Sequence, residues 1–259
     1  MTSVQRLYVL LTGYEFLAKS VSVLGAPEKF ILSEPICAYL LETTEGCVLI
    51  DCGLNLKVLR DPGLAEASYG RHVYPTLPVV LPEHELLPQL ARLGVTSSDI
   101  HHVILSHVHI DHTGELAHFT HAKISIQAQE HAWAFGDVPN VAVRRADFDM
   151  PGLDWNLVDG DWTVVPGLEG LLTAGHTPGH QSFVVTLPSG AVKILTMDAG
   201  DLWENFEKEI APGSMETPEE GLPSIRKLKR LVAERSAELI LLHDPNLVQG
   251  LRLAPEWYE

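Results

Sequence analysis

One short segment of this sequence, SHVHIDHTG, concentrates side chains that bind metal ions. It carries His107, His109, Asp111 and His112 within six residues, directly after an apolar run that is typical of a strand end. Protonated imidazoles this close together would repel one another, whereas neutral rings can each donate a lone pair to an ion. His107 and His109 are two residues apart, so an extended segment can turn both the same way. The pattern predicts a metal site rather than a run of solvent-facing histidines.

Three further segments place an imidazole or a carboxylate where an apolar strand ends. AGHTPGH presents His176 and His180 in a Gly/Pro turn, ILTMDAG contains Asp198, and ILLHD contains His243. Because α/β proteins place their chemistry at the carboxyl ends of strands, we expect these segments to join the first one.

The elements that must position these side chains are predicted from apolar periodicity. Strands are predicted over residues 4–12, 36–41, 47–51, 102–105, 123–127, 162–165, 171–173, 183–187, 192–196 and 238–242. Helices are predicted over 83–94 and 222–235, and the Pro- and Gly-rich residues 60–82 are predicted to be a long loop, as in a lid, a binding loop or an interface arm. Many short strands with few helices predict an α/β layered sandwich. No linker divides residues 1–259, which are expected to form a single domain.

Composition restricts the partners of this chain. Acidic residues outnumber basic ones 34 to 18, for a formal net charge of −16. Such a surface repels phosphate backbones and anionic lipid headgroups, so we expect a small-molecule substrate and neither a nucleic-acid nor a membrane partner. The three cysteines fit no disulfide framework or zinc knuckle, and the first residues lack a signal-peptide pattern. Both observations favour a cytoplasmic protein.

The motif HVHIDH, followed in order by His180, Asp198 and His243, resembles the metallo-β-lactamase superfamily in its two-metal branch. This resemblance covers nearly the whole chain and implies a four-layer αβ/βα sandwich with the metals at the rim between two sheets. Within the superfamily, the segments GHTPGHQSF, DGDWTVVPG, WENFEKEI and SIRKLKRLV resemble the N-acyl-homoserine lactone lactonases. The implied activity is opening of a lactone ring, of the quorum-quenching type, and the implied assembly is a homodimer.

The same resemblance implies a ligand set and roles for individual residues. It assigns His107, His109 and His180 to one ion, Asp111, His112 and His243 to the other, and Asp198 to both. Asp51 would orient a ligand histidine, whereas His176 would be a hydrogen-bonded turn residue. Zinc is the expected metal, and iron, cobalt or manganese also suit these donors. The ions would activate a water for attack on the acyl carbon, and Asp111 would pass its proton to the leaving alkoxide.

One position departs from the lactonase pattern. The lactonases have a Tyr three residues after the bridging Asp, where it hydrogen-bonds the substrate carbonyl, and this chain has Asp201 there. An ionised carboxylate cannot donate that hydrogen bond. Either another residue such as Tyr69, Tyr74 or Trp203 takes this role, or the substrate differs. A solvent-facing Asp201 is as compatible with the sequence as a functional one.

Other activities on the same scaffold stay open. A hydrolase of another ester, a thioester or an aryl ether would use the same ligands. A nuclease is disfavoured by the net charge, and a redox di-iron protein normally has Glu where this chain has His109. A structural metal-binding role is the non-enzyme alternative, and the complete set of ligand types argues against it.

Overall fold

The computed structural model describes residues 2–70, 74–137 and 140–259, and the first of its two sheets comes from the N-terminal part of the chain. Its strands are β1 (Val4–Ala18), β2 (Ile31–Thr43), β3 (Gly46–Ile50), β4 (Ile100–Ile104), β5 (Lys123–Gln127) and β6 (Asp154–Val158). They lie side by side in chain order. β1, β2 and β3 are antiparallel, whereas β3, β4, β5 and β6 run parallel to one another.

The second sheet comes from the C-terminal part of the chain. Its strands are β7 (Trp162–Val165), β8 (Leu168–Leu172), β9 (Gln181–Thr186), β10 (Val192–Leu195) and β11 (Glu238–Ile240). The order across the sheet is β11-β10-β9-β8-β7. β7 to β10 are antiparallel, and β11 pairs with β10 in parallel.

Most of the helices connect strands. They are α1 (Lys19–Ser22), α2 (Leu56–Leu59), α3 (Pro62–Tyr69), α4 (Leu86–Arg92), α5 (Ile110–Thr113), α6 (Ala128–Ala134), α7 (Trp203–Lys208) and α8 (Pro218–Arg235). Short 3₁₀ turns lie at Pro82–His84, Ser97–Asp99, Leu116–Phe119, Arg145–Asp147, Met197–Ala199 and Val248–Gly250. Within the described ranges, no helix combines the length and the apolar character needed to cross a membrane.

The two sheets pack face to face, and helices cover their outer faces. In β1, side chains alternate between two cores: Leu7, Val9 and Leu11 face the second sheet, and Tyr8 and Leu10 face the helical layer. The core between the sheets joins Leu41 and Ile50 of the first sheet to Phe183, Leu195 and Ile240 of the second. Helix α4 contributes Leu86 and Leu90 to one outer core, and α8 contributes Ile225 and Leu228 to the other. The predicted αβ/βα sandwich is therefore confirmed.

The structure corrects several predicted elements. The predicted loop over 60–82 contains α3, which begins where the Asp61 carboxylate accepts hydrogen bonds from the N–H groups of Gly63 and Leu64 at 2.9 and 3.1 Å. An Asp cap followed by Pro is a helix-start signal that the Gly and Pro content of this stretch obscured. Residues 71–73 of the same stretch lie outside the described residues. The predicted helix 83–94 is divided into a 3₁₀ turn and α4. The sequence did not predict β6, α6 or α7.

Gly114 allows α5 to lie directly against the segment that follows β3. Its N–H donates to the carbonyl oxygen of Gly53 at 2.7 Å, and a Cβ at this position would lie 2.1 Å from the backbone nitrogen of Asn55. The φ of Gly114 is −58°, an ordinary helical value. A glycine is therefore required by the close approach of two backbones, and not by a left-handed turn.

Substituting Gly114→Ala should lower the free energy of unfolding by about 1–3 kcal/mol, because the added methyl group forces two backbone segments apart. Urea unfolding of the purified protein measures this change. Gly63→Ala in α3 is the control: a Cβ there meets only the Asp61 side chain, at 3.4 Å, so this variant should be as stable as the parent or slightly more stable. A Gly114→Ala protein as stable as the Gly63→Ala protein would contradict the packing argument.

Candidate metal centre

Seven buried ionisable side chains converge at the rim where strands of both sheets end. His107 and His109 follow β4, and α5 carries Asp111 and His112. The second sheet contributes His176 after β8, Asp198 in the turn after β10, and His243 after β11. Each of these seven residues is at most 7% exposed. Residues more than 130 positions apart in the chain are thus brought within contact of one another.

Four of these side chains form a first group of potential ligands, with one donor atom from each lying within 4.8 Å of the others: His107, His109, His176 and Asp198. His176 Nε2 lies 2.8 Å from His109 Nδ1 and 3.2 Å from Asp198 Oδ2. His107 Nε2 lies 3.6 Å from the same carboxylate oxygen. Three imidazole nitrogens and one carboxylate oxygen at this spacing can surround a single ion.

Asp111, His112 and His243 form a second group with the same spacing. His112 Nε2 lies 3.0 Å from Asp111 Oδ2, and His243 Nε2 lies 3.7 Å from that oxygen. Asp198 stands between the two groups, because its Oδ1 is 3.4 Å from His112 Nε2 while its Oδ2 faces His176. The carboxylate of Asp198 can therefore contact an ion in either group.

The chemistry of these atoms fits cations better than it fits hydrogen bonding within the chain. Burial lowers the pKa of His107 and of His109 well below the usual value, so both rings are neutral and each has a lone pair with which it can bind an ion. Among the described residues, His107 Nε2, His112 Nε2 and Asp198 Oδ1 are buried without a hydrogen-bond partner. Buried polar atoms without partners are costly, and a cation in each group would satisfy them.

The second group attracts positive charge. Burial lowers the pKa of His112, but the carboxylates of Asp111, Asp198 and Asp51 outweigh burial and raise this pKa well above its usual value. His243 shows the same balance, with Asp198 as the main carboxylate that raises its pKa. A divalent ion must therefore displace protons here, so metal affinity should fall as the pH falls.

In several of these histidines the second ring nitrogen is hydrogen-bonded, which sets the orientation of the ring. His107 Nδ1 lies 3.0 Å from the hydroxyl oxygen of Ser106. His112 Nδ1 lies 2.6 Å from Asp51 Oδ2, and Asp51 also accepts the N–H and the hydroxyl of Ser106. Nδ1 of His176 and of His243 lies 3.1 and 3.0 Å from backbone carbonyls of Ser214 and Pro35. The position of Asp51 beside a ligand-type histidine agrees with the sequence prediction.

The structure does not bring His180 into either group, and His176 lies where the predicted ligand set has His180. Burial lowers the pKa of His180 to about 3, so this ring is neutral. Its Nδ1 lies 3.0 Å from the Thr173 carbonyl, and its Nε2 accepts the backbone N–H of Asp198 at 3.0 Å. The lone pair of His180 is therefore already used in a hydrogen bond to the backbone of Asp198.

The choice between these two histidines could not be made from local sequence. Both belong to the segment AGHTPGH and are four residues apart, and either could point towards the rim. The contacts that distinguish the two side chains come from segments distant in the sequence. A Cβ on Gly175 would lie 2.6 Å from Gly221 in α8, so this helix packs directly against the turn beside His176.

A cavity of about 230 Å³ opens onto the two groups. Its lining includes the apolar side chains of Leu17, Val21 and Val141 together with Tyr74 and Asp201. Asp201 is only 4% exposed, so the interpretation of a solvent-facing carboxylate is wrong. Burial, followed by the charges of Asp198 and Glu34, raises the pKa of Asp201 well above its usual value.

Of the alternatives proposed for the missing lactonase Tyr, Tyr74 lines this cavity. The hydroxyl of Tyr69 instead accepts the backbone N–H of Asn55 at 3.4 Å. Trp203 begins α7 and is 50% exposed. Tyr74 is therefore the candidate that is placed to meet a substrate.

Glu130 joins the two loops that carry the first group, and no sequence motif indicated it. This fully buried residue of α6 accepts the N–H of Val108 at 3.1 Å and the N–H of Gly179 at 2.9 Å, one with each carboxylate oxygen. Val108 lies between His107 and His109, and Gly179 lies in the turn that contains His176. One carboxylate therefore sets the separation of the two loops.

Substituting Glu130→Gln should weaken metal binding about 10- to 100-fold and lower the free energy of unfolding by about 2 kcal/mol. An amide has a single acceptor oxygen, so its NH₂ group would face one of the two backbone N–H groups. Titration with a divalent metal and urea unfolding measure the two effects. The control is Glu83→Gln at an exposed acid, and equal metal affinity of the two variants would contradict the role of Glu130.

Comparisons with known proteins identify the family of this chain. Residues 34–193 match the family model of the metallo-beta-lactamase superfamily. The chain is 34% identical to the N-acyl homoserine lactonase AiiA of Bacillus thuringiensis subsp. kurstaki, over 98% of this chain and 99% of that protein. It is 32% identical to the N-acyl homoserine lactonase AttM of Agrobacterium fabrum, over 86% of this chain and 87% of that protein.

Solved structures give the same result. An N-acyl homoserine lactone hydrolase with the product N-hexanoyl-L-homoserine bound at its catalytic metal center superposes with a TM-score of 0.89 and 32% identity, over 100% of both chains. A mutant of AiiA from B. thuringiensis with N-decanoyl-L-homoserine at its active site gives the same three values. The chain therefore belongs to the metallo-β-lactamase superfamily, within the family that contains these N-acyl homoserine lactonases.

Proposed function

We propose that this protein is a two-metal hydrolase that opens lactone rings, with N-acyl homoserine lactones as its substrate class. The observation that carries the proposal is the pair of adjoining ligand groups beside a partly apolar cavity. The full-length similarity to N-acyl homoserine lactonases supports the same substrate class. A small substrate suits a cavity of about 230 Å³.

The proposed ligands follow the two groups. His107, His109 and His176 would hold one ion, Asp111, His112 and His243 would hold the other, and Asp198 would be shared by the two groups. This assignment replaces His180 by His176, because the lone pair of His180 is hydrogen-bonded to the N–H of Asp198.

When bound, two such ions polarise a carbonyl group and lower the pKa of a water molecule. Asp111 is the proton carrier among the residues of the chain. It lines the cavity, and His112 and His243 outweigh burial and lower its pKa, so its carboxylate is ionised. An ionised carboxylate at this position accepts the proton of the attacking water and returns it to the leaving alkoxide oxygen.

Zinc is the proposed metal, because imidazole and carboxylate donors in small coordination shells suit it, although iron, cobalt and manganese use the same donors. A homodimer without a membrane partner is the proposed assembly. A cytoplasmic location is proposed from the three cysteines, which are free thiols.

A hydrolysis panel on metal-loaded protein tests the proposed function. N-Acyl homoserine lactones of several chain lengths should be hydrolysed faster than thioesters, aryl esters, aryl ethers or phosphodiesters. Dialysis against a chelator should abolish the activity, and reloading with Zn²⁺ should restore it. Faster hydrolysis of a thioester or an aryl ether than of every lactone would favour the alternative hydrolases on this scaffold.

The ligand assignment is tested by comparing two variants of the same turn. His176→Ala should lose about one of two bound ions per chain and nearly all hydrolysis, because one ion loses a first-group ligand. His180→Gln should keep both ions, since the amide oxygen can still accept the N–H of Asp198. Elemental analysis by mass spectrometry gives the metal count. Loss of an ion from His180→Gln but not from His176→Ala would restore the assignment made from sequence.

A further inference from the structure

A pair of buried carboxylates beside the metal centre has no role in the proposed reaction. Glu15 of β1 and Glu34 of β2 are directly opposite each other in the antiparallel pair, and they are 4% and 1% exposed. Like charges at paired positions destabilise a sheet. Buried carboxylates are normally balanced by a cation, so this pair indicates a positively charged ligand.

Within the described residues, the basic side chain beside this pair is His243, which also faces the carboxylates of Asp111 and Asp198. The basic group that Glu15 approaches is His243, whose Nδ1 is 3.6 Å away and also lies 3.0 Å from the Pro35 carbonyl. Glu34 accepts a hydrogen bond from the neutral hydroxyl of Ser22 at 2.6 Å. Neither Lys nor Arg occurs among the described residues that line the cavity.

Asp201 provides independent evidence that a ligand binds beside Glu15 and Glu34. It reaches the cavity from the second sheet, just after the turn that follows β10. It is 96% buried, and its Oδ1 has no hydrogen-bond partner within the described ranges. Glu15, Glu34 and Asp201 line one cavity, which also contains Asp111 and His243 of the second group. Three acceptors from two sheets therefore face the same space.

We propose that Glu15, Glu34 and Asp201 form a subsite for a primary ammonium group of the substrate, so that the preferred lactone is a cation. This inference rests on the proposed function. An ammonium group has three N–H donors and no acceptor, which matches three carboxylates. A third metal ion fits less well, because His243 directs Nδ1 at the Pro35 carbonyl and Nε2 at the second group, so neither nitrogen is free for another ion.

Two pairs of matched ligands test the subsite without catalysis. The first pair consists of the N-(3-aminopropanoyl) and N-butanoyl derivatives of α-amino-γ-butyrolactam, which are isosteric and differ by an ammonium for a methyl group. The second pair, α-amino- and α-methyl-γ-butyrolactam, places the ammonium next to the ring. Calorimetry on the zinc-loaded protein should give about tenfold or more tighter binding of the ammonium member in at least one pair.

Glu34→Gln and Asp201→Asn should each remove most of this preference, whereas Glu28→Gln, at an exposed acid, should keep it. Glu34→Gln should melt at or above the temperature of the parent, because it removes one of two paired like charges. Equal binding of both members of both pairs would overturn the proposal. A metal count of three ions per chain in the parent and two in Glu34→Gln would also overturn it, because the carboxylates would then be ligands of a metal ion.

Hydrolysis of the corresponding lactones separates this inference from the proposed function. The ammonium lactone should have the higher kcat/KM in the parent, and the ratio to its neutral partner should fall in Glu34→Gln. If no lactone is hydrolysed while the lactam preference holds, the proposed function fails and the cation subsite stands. If neutral lactones are hydrolysed and neither lactam pair shows a preference, the subsite fails and the hydrolase stands.

Discussion

The structure depends on the burial of seven ionisable side chains at the rim between the two sheets, where the described residues supply too few hydrogen-bond partners for them. Two sheets must face each other closely enough for their strand ends to share a rim, and the apolar core between them provides that contact. The surrounding hydrogen bonds then orient the donor atoms. Asp51 holds His112, backbone carbonyls hold His176 and His243, and His180 holds Asp198 through its backbone N–H.

Two further contacts keep this arrangement rigid, and both involve atoms outside the ligand set. Glu130 connects the two loops of the first group through backbone N–H groups, and Gly114 allows the helix that carries Asp111 and His112 to lie against the segment after β3. Because both contacts act on backbone, they position several ligands at once. Metal affinity should therefore be sensitive to residues that never contact an ion.

The cavity has a chemical character that the ligand set alone does not explain. Apolar side chains form part of its wall, as a neutral acyl chain would require, yet three buried carboxylates lie on the same surface. Asp201 is one of them, and it occupies the position at which the sequence departs from the lactonase pattern. The departure is thus part of a group with Glu15 and Glu34, and a cationic substrate group accounts for all three together.

The amino-acid sequence alone predicted the layered fold and the strands that end at the rim, because strand periodicity is a local pattern. The dense His/Asp motif, together with the family resemblance, predicted six of the seven residues now proposed as ligands. The tertiary structure decided between His176 and His180, since the choice depends on Thr173, on the N–H of Asp198 and on the approach of α8. It also decided the burial of Asp201 and the pairing of Glu15 with Glu34, which depend on the register of β1 with β2 and on the meeting of two sheets. Periodicity predicts which face of a strand is buried, but it does not predict which distant side chains share a cavity.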